Sequence, residues 1–130
     1  MKKFVIPVIA LSLLIACNSG DTKDEKKEET TVPEVVDITK NPDYQKGLEL
    51  AAKADCFTCH KIDEALIGPT YRNVANKYAG FPDTIVTHLA QKIIAGGTGV
   101  WGEVPMTPHP TISEEDAKAM VKYILLLKNK

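Results

Sequence analysis

Residues 56 to 60 read Cys56-Phe57-Thr58-Cys59-His60, and no other stretch limits the possible folds of this chain so tightly. Two thiols three positions apart are spaced to add across the two vinyl groups of one porphyrin. A histidine directly after the second thiol is then held under the iron as an axial ligand. Cys-x-x-Cys-His is the attachment signature of c-type haem. A Cys-x-x-Cys pair also serves as a thioredoxin-type redox couple or as half of a zinc site. A zinc site wants further ligands at short spacing. The third cysteine is Cys17, and His88 and His109 lie too far apart to form the other half. A thioredoxin-like couple wants strands alternating with helices, and no such pattern is visible. The motif therefore predicts one covalent haem, and a fold built around it.

The N-terminus agrees. Met1-Lys2-Lys3 is basic, and Phe4 to Ala16 is uncharged and mostly apolar. That run is shorter than the roughly 20 residues that span a bilayer, but it suits the apolar region of a signal peptide, here residues 1–16. It ends Leu14-Ile15-Ala16-Cys17, which resembles the lipobox of bacterial lipoproteins. The resemblance implies cleavage before Cys17 and lipid attachment at the Cys17 thiol; two or three acyl chains anchor stably where one does not. The alternative is an ordinary signal peptide with a cysteine near its cut. The lipid reading accounts for all three cysteines, one on lipid and two on haem, and an exported chain with a spare thiol would need a disulfide partner. Haem is attached to c-type proteins outside the cytoplasmic membrane, so export and motif support one another. The expected location is a bacterial membrane surface, with a lipid anchor and the haem domain facing the periplasm or the outside.

Residues 17–40 read as a charged flexible linker. Asp21 to Glu29 is nearly all charge, with too few apolar groups to offset the entropy of ordering. A flexible chain of that length reaches about 25–30 Å on average, enough for a tethered head to search for partners. Val35, Val36 and Ile38 are expected at the domain edge. Residues 41–130 form the one folded domain, with ten basic against ten acidic residues. That balance gives no sign of a nucleic-acid partner. About ninety residues bury only a modest core unaided, and a central haem would supply apolar surface that the chain lacks.

The periodicity gives helices and no convincing strand. Asn41-Pro42 reads as an N-cap and first-turn proline ahead of a helix over Asp43–Lys53, with Tyr44, Leu48 and Ala51/Ala52 on its buried face. A short helix is expected over Thr70–Lys77. A third runs from Pro82, with Ile85, Leu89 and Ile93 inward, to Gly96-Gly97. The last starts at an N-cap Ser113 and buries Ala117, Met120/Val121, Ile124 and Leu125/Leu127. The fold class is all-α, about four helices around one haem.

His60 would fill one axial position, leaving Met106, Met120, His88 and His109 as candidates for the other. Met120 lies on an apolar helix face and reads as core, while His88 reads as a surface or edge residue. Met106 follows Gly96-Gly97-Thr98-Gly99-Val100-Trp101-Gly102-Glu103-Val104-Pro105. That stretch looks too rich in glycine and proline for regular structure, as a chain laid over a haem face requires. A thioether is a soft, uncharged ligand suited to ferrous iron.

From Asn41 to the C-terminus the chain resembles small bacterial class I cytochromes c of the c-551/c-552 type. Four stretches carry the likeness: Gly47-Leu48-Glu49-Leu50-Ala51, Cys56 to His60, Ile67-Gly68-Pro69-Thr70-Tyr71, and Gly99-Val100-Trp101-Gly102 leading to Pro105-Met106. The resemblance implies His60 and Met106 as iron ligands, and a Pro69 carbonyl that accepts the second ring N–H of His60. It also implies a Trp101 indole N–H on a haem propionate, and close passage of the first helix over the last at Gly47, near Tyr123 or Leu127. One departure is that Leu50-Ala51 stands where the family often has an aromatic residue. The alternative for Trp101 is a core tryptophan; His109 reads as a solvent-facing loop residue that could compete for iron only in a denatured or alkaline state.

Histidine and methionine together close both faces of the iron, which disfavours catalysis at the metal and leaves one-electron transfer through an exposed haem edge. The expected protein is a monomeric, membrane-tethered electron carrier with transient redox-protein partners, docking near Cys56, Phe57 and Cys59 with Lys53 and Lys61 as steering charges. A haem subunit, a small peroxidase-like enzyme, or a sensor with a displaceable Met106 are the alternatives.

Overall fold

A computed structural model describes residues 37–129. The expected signal peptide, Cys17 and most of the linker lie outside the described residues. Among the described residues no helix is long and apolar enough to cross a membrane. The described residues form four α-helices: α1 over Pro42–Lys53, α2 over Tyr71–Tyr78, α3 over Thr84–Ala95 and α4 over Glu114–Leu126. Short 3-10 turns cover Ile38–Lys40 and Cys56–Thr58.

The helices begin where their capping chemistry dictates. The Asn41 side chain accepts the Asp43 N–H at 2.8 Å, with Pro42 filling the first helical position, where no N–H is needed. Thr70 caps α2 by accepting from the Asn73 N–H at 3.0 Å, and Ser113 caps α4 by accepting from the Asp116 N–H at 3.1 Å. Glu114, Glu115 and Asp116 complement the positive end of α4. Helix α3 starts at Thr84, two residues later than its pattern suggests. Pro82 and Asp83 form a lead-in turn whose carbonyls accept from Ile85 at 2.9 Å and Val86 at 3.1 Å.

Helix α4 is the spine and packs against α1, α2 and α3. One stripe of it, Tyr123, Ile124 and Leu127, joins Ala51, Tyr71 and Ala75 in a first core cluster, against which Ile38, Tyr44, Cys56 and Phe57 pack. Another stripe, Ala117, Met120 and Val121, joins Ala90 and Ile93 of α3 in a second cluster, flanked by Leu50, Leu89 and Met106. Met120 is therefore core. Ala52, expected on the buried face of α1, is exposed, and Ala119 and Tyr123 are buried beyond the expected stripe of α4.

The α1–α4 crossing is set by Gly47. A Cβ there would fall on the carbonyl oxygen of Ala119 and the Cβ of Tyr123. The missing Cβ is what lets the two helices approach so closely. The aromatic contact across this crossing comes from Tyr44, whose ring meets Tyr123 edge-on at 5.1 Å, so Leu50-Ala51 leaves no gap in it.

The segment after α3 corrects the expectation of a structure without strands. Gly97–Gly99 (β1) and Gly102–Met106 (β2) pair as an antiparallel ribbon, with Gly97 opposite Met106 and Gly99 opposite Gly102. Both strands are almost wholly exposed, so no alternation of apolar and polar residues announces them. Three glycines with positive φ, Gly96 at 65°, Gly97 at 100° and Gly102 at 114°, let the chain leave the helix and reverse. Pro105 is tolerated because a two-stranded ribbon is all edge.

Two measurements check this packing. Gly47→Ala should destabilise the haem-loaded protein by about 1–3 kcal/mol through overpacking, read as a lower denaturant midpoint with an unchanged slope. Tyr123 is fully buried, and burial pushes its hydroxyl up to about 12 from the ordinary value of 10.0. The folded state thus favours neutral tyrosine: this contribution is complete below about pH 10 and is lost as the pH rises through about 12. Tyr123→Phe should unfold at higher pH than the parent, with one fewer proton released in the alkaline transition followed by circular dichroism.

Candidate functional site

The Cys-x-x-Cys-His motif is presented by the end of α1. The Ala54 N–H closes the helix on the Leu50 carbonyl at 3.1 Å, and Asp55 follows with φ 56°, the one non-glycine residue of positive φ among those described. Aspartate tolerates this left-handed position, which turns the chain out of the helix. The motif then winds tightly: Cys59 N–H and His60 N–H both donate to the Cys56 carbonyl, at 3.2 and 3.0 Å. In a 3-10 turn, side chains three apart eclipse one another, so the thiols of Cys56 and Cys59 emerge on one side. Both cysteines are free and half-buried.

His60 is held on several sides. Its Nδ1 lies 2.8 Å from the Pro69 carbonyl oxygen. A carbonyl only accepts, so Nδ1 carries the hydrogen and Nε2 keeps its lone pair free for a metal. Tyr71 stacks on the ring at 5.4 Å between centroids and 13° between planes. Gly68 passes so close that a Cβ would fall on ring atoms of His60. The Gly68 N–H donates to the Cys59 carbonyl at 3.0 Å, closing this loop back onto the motif.

Burial raises the Cys56 thiol above its ordinary pKa, a shift that the Tyr71 hydroxyl at its sulfur partly offsets. The Tyr71 hydroxyl is itself pushed up by burial and by Cys56. A thioredoxin-type couple works through a thiol of lowered pKa, so this environment does not suit one. Among the described residues no three His, Cys, Asp or Glu side chains converge as metal ligands, which leaves the zinc reading without its ligand set.

Met106 ends β2, half-buried against the second core cluster. The segment just past it is tied to α3, where the His109 N–H donates to the Ile93 and Ile94 carbonyls at 3.2 and 3.1 Å, and at Gly96 a Cβ would strike the Met106 carbonyl. His109 is accordingly half-buried, not turned fully to solvent, while His88 is exposed. Trp101 sits exposed at the ribbon turn with the Lys77 ammonium 5.6 Å from its ring centroid. Cys56, Cys59, His60 and Pro69 thus share one loop system, and Met106 and Trp101 share the ribbon.

These residues fit a haem. Among the described residues the exposed large apolar side chains are Leu66 and Ile67 in the loop that holds His60, Phe81 after α2, and Val100, Trp101 and Val104 on the ribbon before Met106. Five of these six lie in the segments that carry the expected ligands, as the walls of a site for a large apolar group would.

Comparison with known proteins decides the family. The cytochrome c family model matches residues 44–128. The chain belongs to the cytochrome c family. Cytochrome c-552 of Nitrosomonas europaea is 43% identical over 84 residues, which span 65% of this chain and 81% of that one. Cytochrome c-551 of Allochromatium vinosum is 41% identical over 88 residues, spanning 68% of this chain and 93% of that one. The crystal structure of wild-type Nitrosomonas europaea cytochrome c552 superposes with a TM-score of 0.59 at 43% identity, covering 62% of this chain and 99% of that one. As a cytochrome c, the chain has the all-α fold of small cytochromes c and carries one covalent haem c.

Gly68 and Tyr71 matter to the site in ways the sequence did not reveal. Both stand in Ile67-Gly68-Pro69-Thr70-Tyr71, but nothing in their spacing says that one makes room for the His60 ring and the other stacks on it. Gly68→Ala should force that ring aside, so that haem still attaches but the His60 ring proton exchanges faster with solvent, as read by NMR.

Proposed function

We propose that this cytochrome c is a one-electron carrier tethered at a membrane surface, with Cys56 and Cys59 bearing the haem thioethers and His60 and Met106 closing the two faces of the iron. The observation that supports His60 as a ligand is the 2.8 Å contact between its Nδ1 and the Pro69 carbonyl, which fixes the tautomer and leaves the lone pair of Nε2 free. Haem, when bound, supplies an iron that is reversibly ferrous or ferric. The protein's work is to hold that couple closed and accessible to partners. His60, stiffened by Pro69, Tyr71 and Gly68, is a strong and fixed donor. Met106, a neutral thioether, favours the ferrous state and keeps dioxygen, peroxide and other small ligands from the metal. Leu66, Ile67, Val100 and Val104, packed against a bound haem, would exclude water and raise the potential further. Trp101, exposed at the ribbon turn, is the proposed partner of a propionate.

Partners are redox proteins that meet the half-buried Cys56–Cys59 face briefly, since turnover requires fast release. Lys61 makes no ion pair among the described residues, whereas Lys53 is held by Glu49 at 2.5 Å, so Lys61 is the better steering charge of the two. Lipid on Cys17 and the charged segment after it would keep the head near the membrane as a monomer on a long leash.

The test is the reduced optical spectrum of the haem-loaded protein with and without carbon monoxide. The parent should be low-spin and indifferent to the gas. Met106→Ala should keep its haem, bind carbon monoxide and show a lower reduction potential. A parent that binds carbon monoxide readily would move the reading to an enzyme or a sensor, and an unchanged potential in the variant would remove Met106 from the iron.

A further inference from the structure

Pro69 orients His60, but Pro69 stands in a loop with little core of its own. Between the motif and α2, residues 63–67 are all exposed. Backbone bonds tie down the ends of this loop, from Tyr71 N–H to the Lys61 carbonyl at 2.9 Å and from Arg72 N–H to the Ile62 carbonyl at 3.1 Å. A third backbone bond runs from Gly68 N–H to the Cys59 carbonyl at 3.0 Å, and the exposed stretch is held at Asp63 by one side chain. Arg72, in the first turn of α2, donates from Nε and Nη2 to the two carboxylate oxygens of Asp63, the second bond at 3.1 Å. Its remaining nitrogen, Nη1, donates to the Leu127 carbonyl at 2.6 Å. Leu127 is buried in the first core cluster and caps α4. One guanidinium therefore joins the loop to the spine of the fold, using the planar fork that arginine has and lysine lacks.

We infer that Arg72 is a positioning residue for the haem site: its fork on Asp63 and Leu127 holds the loop so that the Pro69 carbonyl stays on His60 Nδ1. The Asp63 carboxyl is accordingly held below its ordinary pKa by Arg72. An exposed ion pair by itself contributes little to global stability. What this one governs is a local opening, in which the loop swings out and the His60 ring proton meets water. A freed Nδ1–H also makes the imidazole a weaker donor to the iron, which raises the reduction potential.

The experiment measures solvent exchange of the His60 ring N–H by NMR in the haem-loaded protein, alongside global stability and reduction potential. Asp63→Asn and Arg72→Gln should each exchange at least tenfold faster, with a higher potential and a global stability that accounts for less than the acceleration. Asp63 is exposed, so its variant gives a readable result even where Arg72→Gln fails to fold. Asn76→Ala serves as control: it cuts the other tie between α2 and the C-terminus, the 2.8 Å bond from Asn129 N–H to the Asn76 side chain, and should leave the ring proton alone. Parent-like exchange in Asp63→Asn, or acceleration fully matched by lost global stability, overturns the clamp. The inference rests on His60 as iron ligand; a His60 ring proton without the large shift of an iron-bound imidazole overturns that assignment and the positioning role with it.

Discussion

The contact of α1 with α4 at Gly47 is the constraint on which the rest of this structure depends. Backbone meets backbone there, with Ala119 and Tyr123 on the far side, and such a contact has no soft degree of freedom. It fixes where α1 ends relative to the spine of the fold. The left-handed Asp55 and the tight turn at Cys56 follow within three residues of that end. The position of the two thiols is therefore inherited from a helix crossing several residues away. A site that must meet a rigid planar group at two vinyl carbons gains from such a foundation.

The orientation of His60 is inherited in turn. Its ring is bounded by Tyr71 on one face, by the Gly68 backbone and by the Pro69 carbonyl. Each of these contacts is made by α2 or the loop before it, and α2 rests on α4 through the first core cluster. An aromatic series runs on from Tyr71 to Tyr123 at 6.1 Å and to Tyr44 at 5.1 Å, linking the ligand side of the molecule to the N-terminal turn of α1. Stiffness at the metal is thus a property of the packed helices and not of the motif by itself.

Much of this was legible in the residues. The motif announces its cofactor, and Asn41-Pro42 and Ser113 with its three acids mark helix starts because capping is local chemistry. Gly47 is readable only through the family resemblance, since one glycine in a helix says nothing about what crosses it. The ribbon is not legible in the residues because its pairing leaves both faces wet, so the period-two signal that betrays a strand is absent. Burial of Ala119 and Tyr123 exceeds a simple amphipathic stripe because α4 is covered on several sides. The link of Arg72 to Asp63 and Leu127 spans nine and fifty-five positions, and separations of that kind leave no trace in a single sequence.

The core of this protein is divided, and the division has a mechanical meaning. His60 and the thiols belong to the side organised by α1, α2 and the first cluster, while Met106 leans on α3 and the second cluster. The ribbon that delivers Met106 keeps almost nothing buried and turns on glycines at its root and tip. With both proposed ligands in place, the iron is a rivet through two unequal plates. Under load the thinner plate would lift first, the methionine side ahead of the proposed histidine and thioethers. Such a molecule would fail gradually, losing its closed coordination before its cofactor.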